Sequence, residues 1–73
     1  MSAVVAIGEA WRLAGFALAG VDVSAAEDPA AASDALDRLE GDVGLVVLTP
    51  RAEAALRSRL AEREDLVWVT LPD

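Results

Sequence analysis

Two neighbouring pairs of carboxylates are the groups in this sequence best suited to acid–base chemistry. Glu27 and Asp28 form one pair, and Glu64 and Asp65 form the other. Paired carboxylates act as general acid and base where their environments separate their pKa values. Asp28, however, precedes Pro29, an order typical of a helix start in which the aspartate caps free backbone N–H groups. We therefore interpret Asp28 as a helix cap and the second pair as a solvated turn, and we predict no catalytic carboxylate.

The composition excludes several further kinds of chemistry. The 73 residues include no His and no Cys, and all six cations are Arg. Imidazole or thiolate metal sites, cysteine nucleophiles and Ser-His-Asp triads are therefore excluded, and we predict neither a metal nor a cofactor. Thirteen acidic residues give a net charge of −7. This charge disfavours nucleic acid and anionic membrane surfaces as partners, since both require a basic face.

Phosphate chemistry is also disfavoured by the turns that follow the apolar segments. The first turn contains Gly8 and Glu9 but no G-x-G-x-x-G pattern, and the chain has no P-loop. Glu9 would place a negative charge at a helix N-terminus, where a phosphate would otherwise bind. A receiver-type phospho-acceptor needs an Asp after the third strand, but Thr49 and Pro50 stand there. A receiver-like or small-ligand-binding signalling module without that aspartate remains an alternative.

Short apolar runs and helix-start signals alternate along the chain. Four runs predict strands because they are apolar or alternating and end at turn residues: 3–7, 21–25, 43–48 and 66–70. Helices are predicted after Gly8, between Asp28 and Gly41, and from the Thr49–Pro50 signal onward. Gly15 lies inside the first helix at a cost of about 1 kcal/mol relative to Ala. We expect this glycine to allow a close approach between the helix and the sheet.

This alternation predicts an α/β fold with a four-stranded parallel sheet and three helices. The first and third strands are the most apolar, which favours strand order 2-1-3-4 in a flavodoxin- or receiver-like three-layer sandwich. Ligands of such sheets usually bind where strands 1 and 3 end, near Glu9 and Thr49. We expect one domain over 1–73. No apolar run is long enough for a membrane span and no signal peptide is recognisable, so we predict a cytoplasmic protein.

The pair Trp11 and Arg12 is the best candidate for contact with another protein, because Trp and Arg are enriched at interface hot spots. Trp11 falls in the first turn of the first helix, near the predicted end of strand 1. Two interpretations remain open at this point. The indole either packs in the core or is partly exposed and contacts a partner.

Four segments together resemble the F subunit of the archaeal- and vacuolar-type (A/V-type) rotary ATPases: 6–9, 14–21, 27–32 and 42–49. The most specific of them is the Gly-Phe-x-Leu-Ala-Gly-Val pattern, which Gly15, Phe16, Leu18, Ala19, Gly20 and Val21 match. The strand at Asp42–Thr49 and the Ala52–Glu53 pair of the next helix are also similar to the family. The resemblance extends over essentially the whole chain.

The resemblance implies a non-catalytic rotor subunit of the central stalk, peripheral to the membrane as part of the ATPase. Such a protein binds the coiled coil of the D subunit and neighbouring stalk subunits, and couples ATP synthesis or hydrolysis to proton or sodium transport. Glu9 replaces the usual Asp of the family. The family also continues into a C-terminal helix, so a sequence ending at Asp73 implies a short form without it. We expect the partner contacts at the carboxyl edge of the sheet, at Trp11, Arg12, Thr49, Pro50 and Arg51.

Overall fold

Four strands and three helices alternate along the chain, as the sequence predicts. The computed structural model describes residues 3–72. The elements are β1 (Ala3–Gly8), α1 (Ala10–Leu18), β2 (Asp22–Ala25), α2 (Pro29–Asp37), β3 (Val43–Leu48), α3 (Pro50–Ala61) and β4 (Trp68–Thr70). No helix within the described part of the chain is both long and apolar enough to cross a membrane.

The sheet is parallel throughout and has the order β2-β1-β3-β4. The two central strands are the continuous apolar runs, and Ile7 of β1 pairs with Leu48 of β3. Both of these side chains are fully buried. A strand buried on both faces needs an uninterrupted apolar sequence, which explains why composition predicts the strand order correctly.

The helices divide unequally between the two faces of the sheet. On what we call the two-helix face, α2 and α3 pack together over the larger cluster of buried side chains. Its buried members are Val5, Ile7, Ala26, Ala32, Ala35, Leu36, Val46, Leu48, Ala52, Leu56 and Leu60. On the one-helix face, α1 packs over β1 and β2 and covers a smaller cluster. Its buried members are Ala6, Leu13 and Val47.

Three elements are shorter than the sequence predicts, and the smallest difference is in β2, which begins at Asp22 instead of residue 21. Helix α2 ends at Asp37 instead of continuing towards Gly41, because the N–H of Leu39 donates to the Leu36 carbonyl and tightens the chain into a final turn. Strand β4 begins at Trp68 instead of residue 66. The preceding residues form a turn in which Arg63 pairs with Asp65 (Nε–Oδ1 3.2 Å).

The prediction that Gly15 allows a close approach between α1 and the sheet is wrong. Gly15 is exposed, and a Cβ atom placed on it would meet nothing within 4 Å. Helix α1 contacts the sheet through Leu13 and Phe16 on its opposite side. Gly20 has a φ of +88°, the left-handed conformation that commonly follows a helix C-terminus.

Candidate functional site

The carboxyl edge of the sheet is closed by a bond between two side chains of the chain itself. The Thr49 hydroxyl donates to the Glu9 carboxylate (Oγ1–Oε1 2.5 Å) and accepts from the Ala52 N–H at 3.3 Å. Glu9 retains 5% of its exposure and Thr49 none. Since Glu9 precedes α1 and Thr49 precedes α3, this bond connects the turns that start helices on opposite faces of the sheet.

Gly8 makes that connection sterically possible. A Cβ atom on Gly8 would overlap the side chain of Thr49. The backbone joins the same turns, because the Thr49 N–H donates to the Ile7 carbonyl at 3.2 Å and the Ala26 N–H donates to the Gly8 carbonyl at 2.8 Å. Three loops therefore meet at this edge in one hydrogen-bonded arrangement, and glycine is required there for space.

The electrostatic surroundings of Glu9 keep its carboxyl group ionised. The hydrogen bond from Thr49 lowers the pKa of Glu9, and the positive charges of Arg51 and Arg12 act in the same direction, while burial opposes them. The ionised Glu9 carboxylate therefore serves as the hydrogen-bond acceptor for the Thr49 hydroxyl. It is poorly suited to donate a proton as a general acid at neutral pH.

The carboxylate pair at the β2–α2 turn caps two different helices. Asp28 accepts from the Ala31 N–H (Oδ1–N 2.7 Å), which confirms its prediction as the N-cap of α2. Glu27 accepts from the N–H of Ala10, the first residue of α1 (Oε2–N 3.0 Å). The sequence does not indicate this second cap, because the two residues are 17 positions apart. Both carboxylates thus satisfy free N–H groups of helix N-termini.

A groove of about 370 Å³ opens between the N-terminal ends of α2 and α3. Alanine methyl groups, including those of Ala32 and Ala52, form much of its lining, together with Glu27, Asp28 and Arg51. Its two carboxylates are the capping groups already described. No cluster of three or more His, Cys, Asp or Glu side chains suited to hold a metal ion occurs among residues 3–72.

The five predicted contact residues do not form one surface. Trp11 is 76% exposed, so the interpretation that its indole packs in the core is wrong. Arg12 stacks over the Trp11 ring at 5.6 Å from its centroid and donates to the Pro72 carbonyl at 2.8 Å. Pro50 and Arg51 begin α3, on the other face of the sheet. Thr49 is completely buried, so the structure corrects its selection: its side chain has no surface to offer a partner.

Sequence reasoning missed the most exposed apolar side chain of the first helix. Leu18 is 92% exposed and lies on the same side of α1 as Trp11. The available signal was their spacing, because residues seven apart share one side of an α-helix.

The sheet order defines a doubly wound α/β module of the flavodoxin type. In this module Glu9 and Thr49 occupy the place where β1 and β3 end, at which ligands of such sheets usually bind. The chain matches the family model described as ATP synthase (F/14-kDa) subunit over residues 4–73, and it belongs to that family. This confirms the resemblance carried by the sequence segments. A search of curated proteins finds no match.

A solved structure agrees with the fold. The crystal structure of the F subunit of the V-type ATP synthase from Archaeoglobus fulgidus is similar to this chain, with a TM-score of 0.73 at 22% sequence identity. The match covers 97% of this chain and 98% of that one. At this identity the likeness shows that the two share the four-stranded architecture.

Proposed function

We propose that this chain is a non-catalytic central-stalk (rotor) subunit of a V/A-type ATPase, peripheral to the membrane. In this role it couples ATP synthesis or hydrolysis to proton or sodium transport by binding the coiled-coil D subunit of the rotor. Membership in a family of ATP synthase subunits supports the complex. The observation that carries the non-catalytic assignment is the Glu9–Thr49 bond, since it occupies the edge at which α/β sheets usually bind ligands.

The proposed contacts lie on the two helices that begin at this edge. Trp11 and Arg12 present an indole and a guanidinium on α1, and Arg51 is exposed on α3 beside the half-buried Pro50. Thr49 contributes only indirectly, because its hydroxyl caps α3 and fixes where Pro50 and Arg51 stand. Exposed Trp and Arg side chains are typical binding hot spots.

The proposal is tested by complex formation with the full-length D subunit from the same organism. Trp11→Ala and Arg51→Glu should each weaken the complex, while far-UV circular dichroism stays native because both side chains lie on the surface. Ser58→Ala is the matched control, since Ser58 is exposed on α3 away from its N-terminus. Failure of the unaltered chain to bind the D subunit contradicts the proposal. Binding that neither substitution weakens places the interface elsewhere.

The alternative of a small-ligand-binding signalling module makes a different prediction. It requires thermal stabilisation by a nucleotide, or labelling by an acyl phosphate in the presence of Mg²⁺. The closed bond between Glu9 and Thr49 disfavours it, because a ligand entering at the switch point would have to displace a buried hydrogen bond. Absence of stabilisation and of labelling across a ligand panel removes this alternative.

A further inference from the structure

Helix α1 carries an apolar stripe on its outer side whose members are exposed in the described part of the chain, apart from the Arg12 guanidinium that lies over the Trp11 ring. Trp11 and Leu18 lie at its ends and are 76% and 92% exposed. Between them lie Ala14 and Gly15, which are also exposed. We call these four residues the α1 stripe. Within about two helical turns, the small residues Ala14 and Gly15 lie between the large side chains of Trp11 and Leu18. The stripe is therefore low in the middle and high at both ends.

Gly15, at the centre of the stripe, has no role within the described residues that requires glycine. Its φ is not positive, unlike those of Gly8 and Gly20, and a Cβ atom on it would meet nothing within 4 Å. Glycine inside a helix nevertheless weakens that helix relative to alanine. Small residues at such a position allow the backbones of two helices to approach closely. The position therefore fits close contact with something outside the chain.

The charges of α1 indicate the chemistry of that occupant. Arg12 is the only charged residue in Ala10–Leu18, in a chain with a net charge of −7. By contrast, α2 contains Asp34 and Asp37, and α3 contains Glu53 among several arginines. The Arg12 guanidinium is held beside the stripe by the Trp11 ring and the Pro72 carbonyl. A carboxylate on a partner would complement it.

We propose that the α1 stripe is a docking site for an amphipathic α-helix of another subunit, which crosses α1 at Gly15. Trp11 and Leu18 lie on either side of the crossing, and a carboxylate of the partner helix faces Arg12. The inference rests on the proposed function, in which the partner is a coiled coil and thus presents such helices. It adds Ala14, Gly15 and Leu18 to the contact set and fixes the crossing point.

The test uses two measurements on Gly15→Ala whose expected signs are opposite. The unfolding temperature of the isolated chain should rise by about 4–8 °C, because alanine favours the helix and its methyl group meets open space. Affinity for the full-length D subunit from the same organism, measured by titration calorimetry, should fall at least about tenfold, since the methyl group intrudes into a close helix crossing. A glycine needed by the fold would instead lower the unfolding temperature.

A larger substitution and its matched control extend the test. Gly15→Leu should abolish binding at micromolar concentrations, whereas Ser58→Leu, at an exposed position of α3, should bind as the unaltered chain does. Both variants should keep the native far-UV spectrum. Full affinity in Gly15→Ala and Gly15→Leu overturns the inference while the proposed function stands, provided that the unaltered chain binds. Failure of the unaltered chain to bind overturns both.

A second copy of this chain is the other occupant that the test distinguishes. Sedimentation velocity of the unaltered chain should show a monomer at the concentrations used for the titration. A dimer that Gly15→Leu dissociates would assign the α1 stripe to self-association and overturn the proposed occupant.

Discussion

The two faces of one sheet differ in how completely the chain covers them. On the two-helix face, α2 and α3 enclose the large cluster of buried side chains. On the one-helix face, α1 covers β1 and β2, while Val69 of β4, which pairs with the buried Val47, remains 47% exposed and Val4 36% exposed. The difference teaches that the two-helix face holds most of the buried core, whereas the one-helix face leaves more of its apolar side chains exposed.

The polar contacts follow the same division. Arg59 of α3 reaches across to α2, where it donates to the Ser33 hydroxyl (Nη1–Oγ 2.5 Å) and pairs with Asp37. On α1, the guanidinium of Arg12 binds the backbone at Pro72 and rests on an exposed indole. The two helices of one face are thus joined to each other, whereas α1 is free of helix neighbours along its outer side among the described residues.

The largest expected effect is the loss of stability when a buried leucine of the two-helix face is shortened to alanine. The same substitution on α1 provides the comparison. Leu56→Ala removes a fully buried side chain from the two-helix cluster and should destabilise the fold by about 2–5 kcal/mol. That is a large part of the roughly 5–15 kcal/mol available to a small domain. Leu18→Ala on α1 should change stability by less than about 0.5 kcal/mol. Urea denaturation of both variants checks this, and equal losses would refute the division between the faces.

The bond between the two faces should be the next most sensitive point. Thr49→Val leaves the buried Glu9 carboxylate without its donor and removes a cap of α3, and should cost about 1–3 kcal/mol. Thr70→Val, the same substitution at an exposed edge position, serves as control. Urea denaturation measures both. A loss no larger for Thr49→Val than for Thr70→Val would mean that the bond does not hold the faces together.

Acid should lower the stability of the fold by protonating Glu9 and weakening its bond with Thr49. The pKa of Glu9 is lower in the folded chain than its ordinary value of 4.5. The stability that Glu9 contributes is therefore present above about pH 4.5, and it is lost as the pH falls through the folded-state pKa. The pKa values of Asp37 and Asp65 are lowered by Arg59 and Arg63 and have the same sign.

Replacing the carboxyl group isolates the contribution of Glu9 from those of the surface pairs. Glu9→Gln should lower stability at pH 7 and reduce the further loss between about pH 4.5 and pH 2, as followed by thermal unfolding in a pH series. A pH profile as steep as that of the unaltered chain would show that acid acts through the exposed pairs alone.

The smallest effect is expected for the ion pair that joins α2 and α3. Asp37→Asn removes a partner of Arg59, but both side chains are partly exposed, so solvent and salt screen the pair. The variant should unfold at a slightly lower temperature in dilute buffer, and the difference should vanish in about 1 M NaCl. A difference that persists in high salt would indicate that the packing of the two helices, and not only a screened charge pair, depends on Asp37.

The sequence predicts most of the fold because its signals are local or compositional. The caps by Asp28 and Thr49 act within their own helices, three residues away. The order of the strands follows from which runs are continuously apolar, since burial on both faces demands such runs. These features need no knowledge of how distant segments meet.

The site is predicted only in part because its decisive contacts join distant positions. Glu9 and Thr49 are 40 residues apart, and the residues that neighbour each of them in the sequence do not indicate that their side chains form a hydrogen bond. Thr49 therefore looks available for binding in the sequence and proves to be buried. Gly15 shows the complementary failure: periodicity identifies a helix, but does not decide which side of it faces the sheet.

The fluorescence of Trp11 tests most directly whether the one-helix face is the docking surface. In a Trp68→Phe variant, Trp11 is the only tryptophan, and it is 76% exposed. Titration with a tryptophan-free variant of the full-length D subunit should shift its emission to shorter wavelength until binding saturates, because the indole leaves water. The matched Trp11→Phe variant, reporting from Trp68 on β4, should shift less. Saturable binding, measured independently, with unchanged emission from Trp11 would contradict a docking surface on this face.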